Sequence, residues 1–307
     1  MSQGGVRRRR HPLRGLPAVA LLGIAAAGAT AQTPGTDIYV APLSKAAGRL
    51  TAGAAVNVTD RPGYDNQPLF LPDGSAILYT SIRGDGQADT YRYDLRIGAS
   101  VRLTVTPESE YSPTPLARGP GFSVVRVEAD STQRVWAFQP DGSAPRLLLR
   151  DVKPVGYHAW SDEGDLVLFV LGSPPTLQLV PAGSTAAVEV ARDIGRGLSR
   201  VPGQRRILFA QRNGKGFVIE SLDLDDRTVS PIARTPGSEF FAWADGTLFT
   251  ADGSRILAYR PGPGATWTPI GEFAAEGIRH ITRVAVSPGV DRIAFVAEDG
   301  GGVKSDK

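Results

Sequence analysis

Few side chains in this chain are equipped for covalent chemistry. There is no cysteine, which removes disulfides, thiolate metal ligands and a cysteine nucleophile together. Beyond residue 31 only His158 and His280 remain as histidines. A serine triad needs a histidine beside a presented serine and an orienting carboxylate. No Gly-x-Ser-x-Gly turn occurs to present one. Two histidines also fall short of a three-histidine metal site. Carboxylates could hold calcium through oxygen, and the local candidates are Asp85-Gly86-Gln87-Ala88-Asp89 and Asp223-Leu224-Asp225-Asp226. Both fall in hairpin connections, where Asp and Gly serve turn geometry, and neither reproduces a twelve-residue calcium loop. Gly300-Gly301-Gly302-Val303-Lys304 lacks the strand-to-helix setting of a phosphate loop. The expectation is therefore no catalytic residue, no metal and no cofactor.

The elements that would position a binding site are strands. The stretch Gln67–Thr104 contains four strand-like runs: Pro68–Leu71, Ala76–Ser81, Asp89–Leu95 and Val101–Thr104. Asp73-Gly74 makes the first hairpin turn. The unit recurs. Central residues of successive first strands are Phe70, Leu116, Trp160, Ser199, Trp243 and Ala285, at steps of 46, 44, 39, 44 and 42 residues. Four short strands at a period just above forty indicate propeller blades. Second strands such as Leu166–Val170 and Ile293–Val296 are continuous apolar runs, so they are covered on both faces. A sandwich of two antiparallel sheets explains short strands but not the period. The fold class is all-β, a six-bladed β-propeller. Its last blade combines inner strands from the C-terminal end with orphan outer strands Asp37–Leu43 and Val56–Thr59 from the N-terminal end, which leaves no bare edge.

Residues 1–31 read as a secretory signal: arginines 7–10 and Arg14, an apolar run Leu16–Ala27, and Ala29-Thr30-Ala31 before the cut. The domain plan is signal 1–31, propeller 32–298 and flexible tail 299–307. The whole chain has 34 basic and 31 acidic side chains. Removing the five signal arginines leaves 29 against 31 and a net charge of about −2, which gives no basic face for nucleic acid. The protein is expected in the periplasm or outside the cell, as a monomer with no membrane span once the signal is cut.

One repeat carries a family likeness. Pro68-x-Phe70-x-Pro72-Asp73-Gly74, Ile77-x-Tyr79-x-Ser81-x-Arg83, Asp89-x-Tyr91-x-x-Asp94-Leu95 and Arg102-Leu103-Thr104 resemble the repeat of TolB-type (WD40-like) propellers. The other copies are worn, with Asp162-Glu163-Gly164 or Pro288-Gly289 where Pro-Asp-Gly is expected. The likeness implies the C-terminal propeller of that family without its preceding α/β domain, export to the bacterial envelope, and protein binding. The same repeat also occurs in propellers attached to prolyl-oligopeptidase-type hydrolases.

Loops that enter the first strands, with the second-to-third-strand hairpins, emerge on one face of a propeller and carry its function. They nominate Tyr64, Asp65, Glu110, Tyr111, Tyr157, His158, Arg196, Glu239, Phe240, Arg279 and His280, with Arg83 and Asp85 from one hairpin. Aromatic rings and arginines among carboxylates suit a binding patch. His158 and His280 belong to blades that face each other across the axis. Trp160 and Trp243, at equivalent positions, suit packing between blades or a sugar platform. The resulting expectation is a non-catalytic scaffold binding a protein or peptide in the envelope. The alternatives are a channel-sited hydrolase or lactonase using a carboxylate-bound metal, and a carbohydrate-binding propeller.

Overall fold

A computed structural model describes Met1 and residues 35–298; the predicted signal and tail lie outside the described residues. The first elements are β1 (Thr36–Ala46), β2 (Arg49–Ala52) and β3 (Val56–Asn57). Blade 1 follows as β4 (Tyr64–Phe70), β5 (Ala76–Ile82), β6 (Ala88–Asp94) and β7 (Ala99–Arg102). Blade 2 is β8 (Ser109–Pro115), β9 (Phe122–Val127), β10 (Gln133–Phe138) and β11 (Arg146–Leu147). Blade 3 is β12 (Val155–Trp160), β13 (Leu166–Val170), β14 (Thr176–Val180) and β15 (Val188–Arg192). Blade 4 is β16 (Ile194–Arg200), β17 (Arg206–Asn213), β18 (Gly216–Asp223) and β19 (Val229–Arg234). Blade 5 is β20 (Phe241–Ala244), β21 (Thr247–Asp252), β22 (Arg255–Tyr259) and β23 (Thr268–Glu272). Blade 6 begins with β24 (Arg283–Val286) and β25 (Arg292–Glu298). Its third strand is β1, antiparallel to β25 from Thr36↔Glu298 to Pro42↔Arg292, and β2 and β3 pair outside β1.

Packing defines the ring. The apolar core is divided into six clusters, and each lies between two neighbouring blades. Ile38 and Val40 of β1 join Phe70, Ile77 and Tyr79 of blade 1 in one of them. That cluster links the last blade to the first. The innermost strands touch in the cyclic order β4, β8, β12, β16, β20, β24 and back to β4. Each blade is a two-faced wedge, which is why β13 is buried at every position. Burying one large aliphatic or aromatic side chain contributes roughly 1.5–3 kcal/mol. No blade completes its own core, so each draws that stabilisation from both neighbours.

The first strands differ from their sequence reading. They begin well upstream of the expected Pro68–Leu71 and Pro113 starts, at Tyr64 and Ser109. Gln67 and Ser112 have positive φ (59° and 54°) and sit in β-bulges, between Asn66 and Leu69 and between Tyr111 and Thr114. A bulge inserts a residue and breaks the alternation that marks a strand. It also hides the strand's upstream half from a pattern search. Related register shifts occur in β12 and β16. Tyr64, Asp65, Glu110, Tyr111, Tyr157, His158 and Arg196, nominated as loop residues, therefore stand on the innermost strands.

Candidate functional site

The six first strands surround a central channel of about 490 Å3, within the range of ligand-binding cavities. Its wall mixes apolar side chains, Leu69, Phe70, Trp160, Leu198, Trp243, Val284 and several prolines, with polar ones such as Gln67, Ser199, Arg200 and Asp245. Trp160 and Trp243 also pack partly buried against inter-blade clusters, so each ring serves both the core and the channel surface.

Near the upstream ends of the first strands stand Tyr64, Tyr111, Tyr157, Arg196, Phe240 and Arg283, one from each blade; the last four line the channel, and Tyr64 interacts electrostatically with Tyr111, Tyr157, Arg196 and Arg283. Arg283 Nη2 donates to Tyr157 Oη at 2.8 Å. These residues belong to blades 3 and 6, which face each other across the axis. The Arg283 guanidinium also lies over two rings, with Cζ 3.8 Å from the Phe240 centroid and 5.1 Å from that of Tyr157. Arg196 approaches the same Phe240 ring at 4.9 Å. Tyr157 meets Phe169 and Phe240 edge-on at 5.8 and 6.5 Å. Burial pushes the Tyr64 hydroxyl up to about 12; Arg283 and Arg196 oppose the rise, and Tyr157 and Tyr111 add to it. Tyr64 therefore stays a neutral donor.

Arg196 is held from below. Its backbone N–H and Nε each donate to Glu239 at 2.7 Å. Burial disfavours the guanidinium charge, but Glu239 outweighs it, and the Arg196 pKa stands above its usual value. Two glycines of β16 allow this approach. A Cβ on Gly197 would lie 2.1 Å from the Glu239 carbonyl oxygen, and one on Gly195 would lie 2.8 Å from a Glu239 carboxylate oxygen. Arg283 is placed differently. Among the described residues no carboxylate lies within 4.0 Å of it, and Tyr157 accepts its one hydrogen bond.

The other nominated residues lie apart from this ring. Asp65 and Glu110 are on β4 and β8, fully buried. Asp65 accepts from Arg61 Nη2 at 2.9 Å, and Glu110 accepts from Arg126 Nε at 3.1 Å. Burial raises both carboxyl pKa values; hydrogen bonds from Ser81 and Arg61 oppose it at Asp65, and Thr106 and Arg126 oppose it at Glu110. These are strand rather than loop carboxylates, because the strands extend past the expected loop boundary: Glu110 ties β8 to Arg126 of β9, and Asp65 ties β4 to Arg61 in the segment before it. Arg83 stacks on Tyr91 of its own blade at 3.9 Å, and Asp85 pairs with Arg102 at 3.3 Å. Neither lines the channel. Arg279 and His280 are exposed in the segment before β24 and also do not line it.

His158 is a wall residue, not a loop residue. It is buried, and its Nε2 is 2.7 Å from Ser123 Oγ. Trp160 Nε1 donates to the same oxygen at 2.9 Å. A serine–histidine pair suggests nucleophilic chemistry, but Ser123 has no solvent exposure and His158 Nδ1 has no partner. With no orienting carboxylate and an indole N–H on the oxygen, the trio brackets blade 2 to blade 3. Desolvation holds the imidazole down at about 3. Among the described residues no three or more histidine, aspartate or glutamate side chains are grouped to hold a metal. Asp89 pairs with Arg102 at 2.7 Å, Asp225 accepts from Arg205 Nε at 2.6 Å, and Asp226 accepts from the Thr228 N–H at 2.8 Å.

Sequence reasoning thus reached five of the ring's six side chains and missed Arg283. A usable signal existed. Tyr157, Arg196 and Phe240 stand three residues upstream of Trp160, Ser199 and Trp243. The same step back from Val286, which opposes Ile293 in blade 6, reaches Arg283. Centring the blade 6 unit on Ala285 points instead to the exposed Arg279-His280 pair.

No protein-family model matches the chain. Solved structures do match its fold. A putative TolB from Agrobacterium tumefaciens superposes with a TM-score of 0.66 at 15% identity, covering 87% of this chain and 99% of that one. A chain of a nidogen/laminin complex gives 0.60 at 13% identity, covering 86% and 98%. TolB from Acinetobacter baumannii gives 0.55 at 11% identity, covering 85% of this chain and 64% of that one. At these identities the likeness concerns fold, and the fold is that of a TolB-like propeller.

Proposed function

We propose that this protein is an exported, monomeric, non-catalytic scaffold of the cell envelope, periplasmic or secreted, which seats a protein or peptide partner at the channel mouth. The observation that carries the reading is the cluster of Tyr157, Arg196, Phe240 and Arg283 from four blades at one end of the channel, with Tyr64 within electrostatic reach. Tyrosine and arginine are enriched in binding hot spots, and phenylalanine is enriched at interfaces. The export signal read from residues 1–31 supports the location. Among the described residues no helix is long and apolar enough to cross a membrane. The TolB-like fold supports a scaffold role, and one structural neighbour comes from a complex of two proteins.

The test is affinity capture from envelope extract with wild type and Phe240→Ala side by side. Losing a central aromatic anchor costs about 2 kcal/mol or more, roughly thirtyfold in affinity. The expected result is a protein retained by wild type and lost with the variant. A wild-type eluate with nothing above background, or an identical set from both baits, would reject the reading.

A further inference from the structure

We infer that the channel mouth is a receptor for a single carboxylate, namely the free C-terminal carboxylate of a peptide chain, with Arg283 as its anchor. This rests on the peptide-binding reading above and names the group recognised.

The charge count comes first. Arg196 and Glu239 neutralise each other, and the Arg283 guanidinium remains uncompensated among the described residues. Within the ring and its Glu239 partner one positive charge is left over, which suits a monoanion; a phosphate monoester would bring nearly two negative charges. Geometry agrees. A guanidinium has five N–H donors in a planar fork that fits a carboxylate with two parallel hydrogen bonds. Among the described residues one donor of Arg283 is used, toward Tyr157 Oη, which leaves its remaining N–H groups for a ligand. The guanidinium is held by contacts on blades 3 and 5, so little rotamer freedom is lost on binding. Tyr64, kept protonated by burial, is a neutral donor in the same ring.

The source of the carboxylate follows from access. The mouth is bordered by one side chain from each blade, and Arg283 and Tyr157 already bridge it. A chain end passes such an opening as one strand of backbone, whereas an internal acidic residue must bring two. The apolar part of the wall below, with Leu69, Trp160, Leu198 and Trp243, suits the side chain of the terminal residue, while the residues before it lead outward.

The test uses the full propeller and octapeptides of randomised sequence tethered by their amino ends, with selected peptides resynthesised as C-terminal acids and amides. Acids should bind roughly ten- to a hundredfold tighter than their amides, the range for hydrogen bonds to a charged group. Arg283→Gln should abolish that preference, Tyr157→Phe should reduce it, and Arg283→Lys should keep part of it. The Tyr157→Phe arm retains the ring packing, so it reports even if Arg283→Gln does not fold. Equal binding of acid and amide overturns the inference and leaves a peptide-binding scaffold standing. Equal binding of amidated peptides carrying an internal aspartate, or of free acetate, overturns the chain-end assignment. Recovery of no peptide overturns the inference, while the envelope capture experiment independently judges the broader function.

Discussion

Replacing His158 with glutamine should flatten the acid limb of the stability curve. In the folded protein burial holds the His158 imidazole at about 3, against 6.5 for the free side chain. Between those values the unfolded chain binds a proton that the folded chain refuses. Stability therefore falls as pH drops below 6.5 and stops falling near 3. At about 1.4 kcal/mol per pH unit, the loss from pH 8 to pH 5 is about 2 kcal/mol, and the full span is about 5 kcal/mol. Asp65, Asp89 and Glu110 have raised pKa values and act in the opposite sense, since their folded forms take up protons first. They are common to both proteins and cancel in the difference. Glutamine keeps a polar end for Ser123, so the variant pays a pH-independent cost but loses the titration. The assay is urea unfolding followed by tryptophan fluorescence at pH 8, 6.5 and 5. The gap between wild type and variant should shift by about 2 kcal/mol in favour of the variant across that range. A gap that stays constant would mean the imidazole is not held neutral, and the burial argument would fail.

Gly197→Ala drives a Cβ into the Glu239 carbonyl at 2.1 Å and should cost about 1–3 kcal/mol by overpacking. Gly237→Ala, in open space in the loop leading to Glu239, should change stability by less than about 0.5 kcal/mol; thermal unfolding compares the two. Ile38→Ala empties a fully buried site on β1 and should cost about 2–5 kcal/mol. Because β1 belongs to the sheet of blade 6 and packs on blade 1, circular dichroism and tryptophan fluorescence should still report one coincident transition. An early separate transition in one probe would show that the blades do not unfold as a unit.

Several strands were legible with little error. The run read at Leu166–Val170 is β13 as observed, and Ile293–Val296 lies within β25. The orphan run Asp37–Leu43 lies within β1. Apolar residues that recur at a fixed period and turn residues with one clear geometry leave few alternatives. Asp73-Gly74 is such a turn: Gly74 has φ 71° and the Asp73 carboxylate accepts from Ser75. The bulged halves of β4 and β8 were not legible. A residue such as Gln67 at positive φ interrupts the alternation, and its reason lies elsewhere: its side-chain oxygen accepts from the Ser112 N–H at 2.7 Å on the neighbouring blade.

The amino-acid order by itself determined the repeat, the number of blades and the assignment of the N-terminal outer strands to the last blade, because hydrophobic period and turn chemistry act over a few neighbouring residues. Tertiary structure alone decided which polar side chains meet. Arg283 and Tyr157 are 126 residues apart and touch only because the ring brings opposite blades together at the axis. Asp65 and Glu110, beside Tyr64 and Tyr111 in the chain, are turned away into buried ion pairs, because adjacent residues on a strand face opposite sides.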